Sequence, residues 1–498
     1  MPMPLSDLLI LNPSDNVGVV VVEGPIKIGH KVALRALSAG APVIKFGHVI
    51  GVATREIAAG EHVHTHNLRM PSAEQILGDH TNDETAATGG LRWTGLPTTF
   101  RGYARADGSV GVRNYVLVVA SVNCSATVVK AVCRQFLGRD LSARGIDGVV
   151  PVCNAAGCAQ AIGGEYHGLL NRTLAGWVFH PNVVGAVIIG LGCEGTTHRS
   201  ILHAKETMGL VRDIPLDAFS IQQVGGTAQA IAAGVERVER LVEDLPVFER
   251  QTLPVSHLGI ALNCGGSDAF SSLTANPALG LTSDMLVANG AMVALAEIPE
   301  CHGAEDLLYR RAASPTVREN LDRVFAWWRD YATRQNVSLN DNLAPGNLEG
   351  GISTIVEKSL GAVTKGGTSP LTQVVDYAEP ITAKGFTLMN TPGFDPVSVT
   401  GLVAGGCQLV AFTTGRGSVY GCAIAPTVKI ATRTALFDRM RGDMDVDAGR
   451  VLSSGSTAPV AEDIYRLLVD VASGRKTCSE TLGLGWEEFS PWPVGETL

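Results

Sequence analysis

YVLVVAS (Tyr115–Ser121) is an uncharged apolar run, followed at once by Asn123-Cys124-Ser125 and a helical stretch to about Leu137. A short apolar run closed by a turn reads as a strand buried on both faces. The same grammar recurs twice. Gly148–Val152 ends in Cys153-Asn154-Ala155-Ala156-Gly157-Cys158, and GAVIIG (Gly185–Gly190) ends in Leu191-Gly192-Cys193-Glu194-Gly195. Apolar positions at helical spacing follow over 227–244. Strands alternating with helices predict a parallel sheet covered on both faces.

Towards the C-terminus a second α/β region opens at His257–Leu262 and turns at Asn263-Cys264-Gly265-Gly266-Ser267-Asp268. Beyond it lie a strand at Met292–Glu297, a long helical region from Ala304 to about Gln335, and a Gly-rich stretch around 346–368. A further strand, Leu409–Phe412, ends in Thr413-Thr414-Gly415-Arg416-Gly417-Ser418. Towards the N-terminus, residues 12–70 read as all-β: Gly18–Glu23, Lys31–Arg35, Val43–Phe46 and Val49–Ala53 are β-prone runs separated by glycine turns, the punctuation of a small barrel. Residues 71–100 are polar and turn-rich. The predicted organisation is a small β domain over 1–72, a linker over 73–100, and two α/β domains with mainly parallel sheets over 101–250 and 251–498.

Composition narrows the function. The net charge of −9 argues against a nucleic-acid binder, which would carry a basic stripe. No apolar run reaches the roughly 18 residues of a membrane span. The N-terminal residues lack the basic and cleavage pattern of a secretory signal, so the ten cysteines are expected as free thiols or metal ligands in a cytoplasmic enzyme. An apolar-rich chain of this type is expected to pair as a homodimer.

The candidate chemistry falls at the strand ends. Cys124, Cys153 with Cys158, Cys193 and Cys264 each follow an apolar strand, and ligands of open parallel sheets bind at the carboxyl ends of the strands. Asn123, Ser125, Ser267 and Asp268 add polar groups there. Cysteine is also a small buried hydrophobe suited to tight turns. His62-x-His64-x-His66 would place three imidazoles on one face of a strand, for metal or substrate contact. Arg416, flanked by glycines, suits a bidentate grip on a carboxylate. Glu297, Glu300 and Cys301-His302 could supply a base or ligand, but are favoured as a cap for the helix at Ala304.

RGYARADGSVGVRN (101–114), VNCSATV (122–128), RTLAG (172–176), GLGCE (190–194), CGGSDAFSSLTANPALG (264–280), NTPGFDPVSVTG (390–401) and FTTGRGSVYGC (412–422) together resemble the altronate/galactarate dehydratase family. Residues 12–70, with Gly29-His30-Lys31 and His64-Thr65-His66-Asn67, are similar to its SAF (β-clip) domain. The resemblance implies dehydration of a sugar acid to a 2-keto-3-deoxy acid with a divalent metal, most readily Fe(II). It also leaves an iron–sulfur cluster open, given the four matching thiols. On this basis His30, Lys31, His64 and His66 are the expected catalytic groups. Cys124, Cys158, Cys193 and Cys264 are the expected metal ligands. Asn123, Ser125, Ser267, Asp268, Arg416 and Ser418 are expected to bind substrate. Asn154 stands where the family carries a histidine, which puts the substrate in question more than the reaction. Two alternatives stay open: elimination of sulfite from 3-sulfolactate, and a sugar-acid binding protein without catalysis.

Overall fold

The computed structural model describes residues 4–71, 93–158 and 160–495. The N-terminal part folds as two small antiparallel sheets. One is built from β1 (Leu8–Leu9), β2 (Val17–Val20), β3 (Lys31–Ala33) and β6 (His62–Val63), the other from β4 (Pro42–Lys45), β5 (His48–Ala53) and β7 (Leu68–Arg69). The β4–β5 hairpin turns through Phe46 and Gly47, both at positive φ (61° and 74°), the combination a two-residue turn requires of right-twisted strands. Of the expected linker, residues 73–92 lie outside the described residues, and Thr99–Phe100 already belong to β8 (Thr99–Ala104).

β8 pairs with β9 (Val110–Gly111) and, across the chain, with β14 (Gln251–Pro254), so a small sheet ties the start of the first α/β part to the start of the second. Between them lies a four-stranded parallel sheet: β10 (Tyr115–Ala120), β11 (Gly148–Val152), β12 (Val183–Gly190) and β13 (Leu216–Ser220), in the order β11-β10-β12-β13. All eight residues of β12 are buried, as an uncharged run in a two-sided sheet must be.

The third part is a seven-stranded parallel sheet: β15 (Gly259–Cys264), β16 (Met292–Leu295), β17 (Leu371–Val375), β18 (Gly385–Met389), β19 (Leu409–Thr414), β20 (Thr427–Ala431) and β21 (Val446–Asp447). Its order is β17-β18-β16-β15-β19-β20-β21. The chain leaves β15 in one direction and returns in the other, so the crevice outside the β15 and β19 ends is the switch point where such sheets bind ligands. In the smaller sheet the equivalent point lies between β10 and β12.

Two expectations are corrected. The long helix from Ala304 is two helices, Glu305–Tyr309 and Pro315–Gln335, because Pro315 cannot continue a helix and instead opens one behind the Ser314 cap. The Gly-rich stretch holds the helix Ile355–Ala362, buried along its whole length and capped by Thr354. One hydrophobic cluster runs from Val17 and Ile50 in the clip through Trp177 to Leu262 and Trp328. Among the described residues no helix is long and apolar enough to cross a membrane.

Candidate active site

The histidine row forms a cluster by a different route from the one expected. β6 stops at Val63, and residues 64–67 turn back: Asn67 N donates to the His64 carbonyl at 3.0 Å, and His64 N to Asn67 Oδ1 at 2.9 Å. A strand would have lined the rings up in a row; the turn folds them together instead. His30 joins from the residue just before β3, whose Val32 is in register with His62. His30 Nδ1 lies 2.9 Å from His62 Nε2, His64 Nδ1 lies 2.8 Å from Ser353 Oγ, and the His62 and His66 ring centroids are 5.2 Å apart. Burial, reinforced by neighbouring positive charge, holds His62 and His64 at about 4 and lowers His30 as well. These imidazoles are neutral near pH 7 and able to take up a proton.

The cluster faces the carboxyl edge of the seven-stranded sheet. Glu349 joins the two: its carbonyl lies 3.2 Å from His30 Nε2, and its carboxylate pairs with Arg416 at 2.8 Å. Here a cleft of about 630 Å3 opens, lined among others by Lys27, Arg416 and Arg433 and by Asp268 and Glu349. Arg433, at the end of β20, was not foreseen from the sequence. A larger cleft, about 720 Å3, is lined by none of the expected residues.

Lys31 does not open onto this cleft. Its ammonium is fully buried, donates to the Gly351 carbonyl at 2.6 Å and pairs with Glu357 at 2.8 Å. Lys45 reaches the same carboxylate at 2.8 Å. Burial pulls Lys31 down to about 8, while the two ammoniums hold Glu357 at about 2 against its own burial. The expectation of a catalytic contact from Lys31 therefore gives way to a pin between the clip and helix Ile355–Ala362.

Beneath the cleft lies a second buried group. The ligand atoms of Cys264, Glu297 and Glu300 all fall within 4.8 Å of one another, alone among the described residues in forming a metal-sized set. Glu297 adopts φ 66°, which swings it off the end of β16 and into the sheet edge, so it and Glu300 do not cap the helix as expected. That helix has no side-chain cap at all: Glu305, its first residue, accepts from Gly303 N at 2.6 Å, outside the helix. Lys365 Nζ lies 2.6 Å from Cys264 Sγ and 3.2 Å from Glu297, and Lys358 pairs with Glu300 at 2.8 Å. Asn263 donates to Glu297 at 3.0 Å and to Asp395 at 3.3 Å. Burial and the nearby Glu300 charge raise Glu297 to about 8 and Asp395 to about 7. A narrow seam lined by Lys45, Cys264 and Glu357 connects this group to the ion triad.

The other expected residues divide. Cys124, Cys158 and Cys193 are exposed at the edge of the four-stranded sheet, whereas Cys264 is buried in the seven-stranded one, so the four thiols do not form a single set. Asn123 is exposed, but Ser125 is buried with its hydroxyl on the Val122 carbonyl at 2.9 Å. Ser267 is buried, and its carbonyl receives Asn347. Asp268 is buried against Ser271 and Thr432 and pairs with Arg433 at 3.4 Å. Ser418 Oγ accepts from Tyr420 N at 3.0 Å. Asn154 is a brace: its amide donates to the Ala120 carbonyl and accepts from Ala156 N, both at 2.9 Å. Sequence reasoning missed Glu349, Ser353, Glu357, Lys358, Lys365, Asp395 and Arg433. Only Asp395 lay inside a quoted motif.

Comparison with known proteins places this architecture. Family models match residues 10–71 (Altronate/galactarate dehydratase SAF domain), 102–246 (D-galactarate dehydratase/Altronate hydrolase, second domain) and 255–497 (D-galactarate/Altronate dehydratase, C-terminal). The altronate dehydratase of Bacillus subtilis (strain 168) is 34% identical over 92% of this chain and 89% of its own. The galactarate dehydratase (L-threo-forming) of Escherichia coli (strain K12) is 34% identical over 99% and 98%. The (2R)-sulfolactate sulfo-lyase subunit beta of Chromohalobacter salexigens is 31% identical over 77% and 95%. A β-clip docked on a parallel-sheet switch point, with these relatives, defines a carbon–oxygen lyase. The chain belongs to the D-galactarate/altronate dehydratase family.

Proposed function

We propose that this protein dehydrates an aldonic or aldaric acid of the altronate or galactarate type, giving the 2-keto-3-deoxy acid. The observation that carries the reading is the neutral histidine cluster beside a cleft holding Lys27, Arg416 and Arg433. Arg416 and Arg433 would hold a substrate carboxylate, exchanging the carboxylates of Glu349 and Asp268 for that of the substrate. His64, fixed through Nδ1 by Ser353, keeps Nε2 to accept the proton from C2. The proton His64 has accepted passes to the departing 3-hydroxyl, relayed through the neighbouring imidazoles His30 and His66, and the enol left behind tautomerises to the ketone. Proton and hydroxide leave as water, so no redox partner is needed.

The family implies a divalent metal, and we read it as Fe(II). Cys264, Glu297 and Glu300 would hold it: one thiolate and two carboxylates suit a borderline ion. Burial and mutual repulsion push Glu297 and Asp395 up to about 8 and about 7 beside Glu300, Lys358 and Lys365, and a cation bound there would take the place of those protons. Bound there, the ion supplies Lewis-acid polarisation. A cytoplasmic setting agrees with ten cysteines that are all free thiols.

The 31% identity to a sulfolactate sulfo-lyase subunit supports a second reading, elimination of sulfite after the same proton abstraction. Anaerobic incubation with Fe(II) and a panel of altronate, galactarate, other sugar acids and 3-sulfolactate separates the two. Keto-deoxy acid that disappears on chelation is the expected outcome; sulfite alone would transfer the assignment to the second reading.

A further inference from the structure

The cleft of about 720 Å3 lies where the helix Glu165–Val178, which follows β11, faces the helix Pro315–Gln335 and the carboxyl ends of β17 and β18. It shares no lining residue with the cleft of Arg416 and Arg433. Concave sites of this size between structural parts are where small ligands bind. Arg172 opens the RTLAG stretch (172–176) and Asn390 opens NTPGFDPVSVTG (390–401); both residues line this cleft, and neither takes part in the proposed catalysis.

The walls are firmly packed. A Cβ on Gly176 would collide with the Ala404 carbonyl, and Trp177 Nε1 donates to the Thr400 carbonyl at 3.0 Å, so the helix Glu165–Val178 lies tight against the helix Asp395–Ala404. Opposite, Trp328 Nε1 donates to Asn390 Oδ1 at 2.7 Å. Trp492 stacks parallel to Trp328 with centroids 5.5 Å apart and meets Trp327 edge-on at 5.4 Å.

Within this order two donors lack a partner. Trp492 is only 3% exposed, yet its indole N–H has no acceptor. Arg172 reaches Glu379 through one terminal nitrogen at 3.3 Å, and its buried Nε–H has none either. Buried donors are nearly always paired, so two on one cleft call for an acceptor that the chain does not supply. A carboxylate suits both, most strongly the guanidinium. The half-buried Trp327 offers an apolar wall to a carbon chain, and Glu165 and His203, exposed along the cleft, can exchange hydrogen bonds with hydroxyls. We propose that this cleft binds a small polyhydroxylated carboxylic acid, a second acid site apart from the cleft of Arg416 and Arg433. Arg172 and Trp492 hold its carboxylate, and its hydroxyls meet Glu165 and His203. The ligand shares its chemical class with the proposed substrate, but the assignment stands on the groups of this cleft and not on the dehydration reading.

Isothermal titration calorimetry with gluconate tests it on the full chain carrying Arg433→Ala, which weakens the other cleft. Saturable binding is expected there. Adding Trp492→Phe, which keeps a ring but removes the N–H, or Arg172→Met, which keeps the stem but removes the guanidinium, should weaken it about tenfold or more with unchanged circular dichroism. Glucitol, with the hydroxyls but no carboxylate, and hexanoate, with the carboxylate but no hydroxyls, should bind at least about tenfold more weakly than gluconate. Absence of binding in the Arg433→Ala chain, binding that survives both added substitutions, or equal binding of glucitol or hexanoate would overturn the proposal. The keto-deoxy acid assay reads the dehydration separately, so either conclusion can fail alone.

Discussion

His64 is the most informative single residue. Ser353 fixes one ring nitrogen, and burial holds the ring neutral at physiological pH. His64→Asn keeps a polar side chain at the turn but removes the proton acceptor. It should lower kcat by about 10²–10⁴-fold and leave KM within a few-fold, measured with whichever sugar acid turns over. Arg433→Ala should show the opposite split, a raised KM with a smaller loss in kcat, because it holds substrate in ground and transition states alike. An Arg433→Ala variant with unchanged KM would place the carboxylate elsewhere.

At the scale of elements, helix Ile355–Ala362 fastens the clip. Thr354 donates to the Ile50 carbonyl at 2.6 Å, and Glu357 accepts from Ser353 N at 2.9 Å while pairing with Lys31 and Lys45. One carboxylate thus joins two strands of the N-terminal sheets to the loop that holds His64. Glu357→Gln strands two buried ammoniums, a change that costs about 3–5 kcal/mol. Urea unfolding should register that loss. Catalysis should also suffer, since the Ser353 contact to His64 rests on the same helix start. Replacing both lysines and Glu357 together by apolar residues should restore much of the stability but not the activity. That pair of results separates the weight of the ion triad from its positioning role.

For the whole molecule, the continuous hydrophobic cluster from Val17 to Trp328 predicts that clip and third part unfold together rather than as independent units. Acid is its weak side. His62 and His64 are held at about 4, below their ordinary 6.5, so the unfolded chain takes up their protons first and stability falls as pH drops from 6.5 towards 4. Glu357, at about 2 against an ordinary 4.5, adds a second loss between 4.5 and 2. Urea midpoints taken at stepped pH should show both limbs in the wild type. Glu357→Gln should keep the first and flatten the second.

The sequence by itself determined the strand ends. Uncharged runs such as Tyr115–Ala120 and Leu409–Thr414 can only be two-sided strands, and the cysteines, Asn263 and Arg416 after such runs were bound to fall at the carboxyl edges. The family motifs carried the reaction class in the same local way. Tertiary structure alone decided which strand ends meet. Strand order put β15 beside β16 and β19, and so drew Glu297, Glu300, Lys365 and Asp395 around Cys264 while leaving the other three strand-end cysteines on a different sheet. Lys31 read as a catalytic group from the Gly29-His30-Lys31 stretch of the SAF resemblance, but only the docking of helix Ile355–Ala362 reveals the Glu357 that buries it. The physical reason is common to these cases. Hydrophobic periodicity is local and survives in one dimension, whereas the pairing of buried charges depends on partners 68 residues away for Glu297 and Lys365 and 326 away for Lys31 and Glu357, which no local pattern encodes.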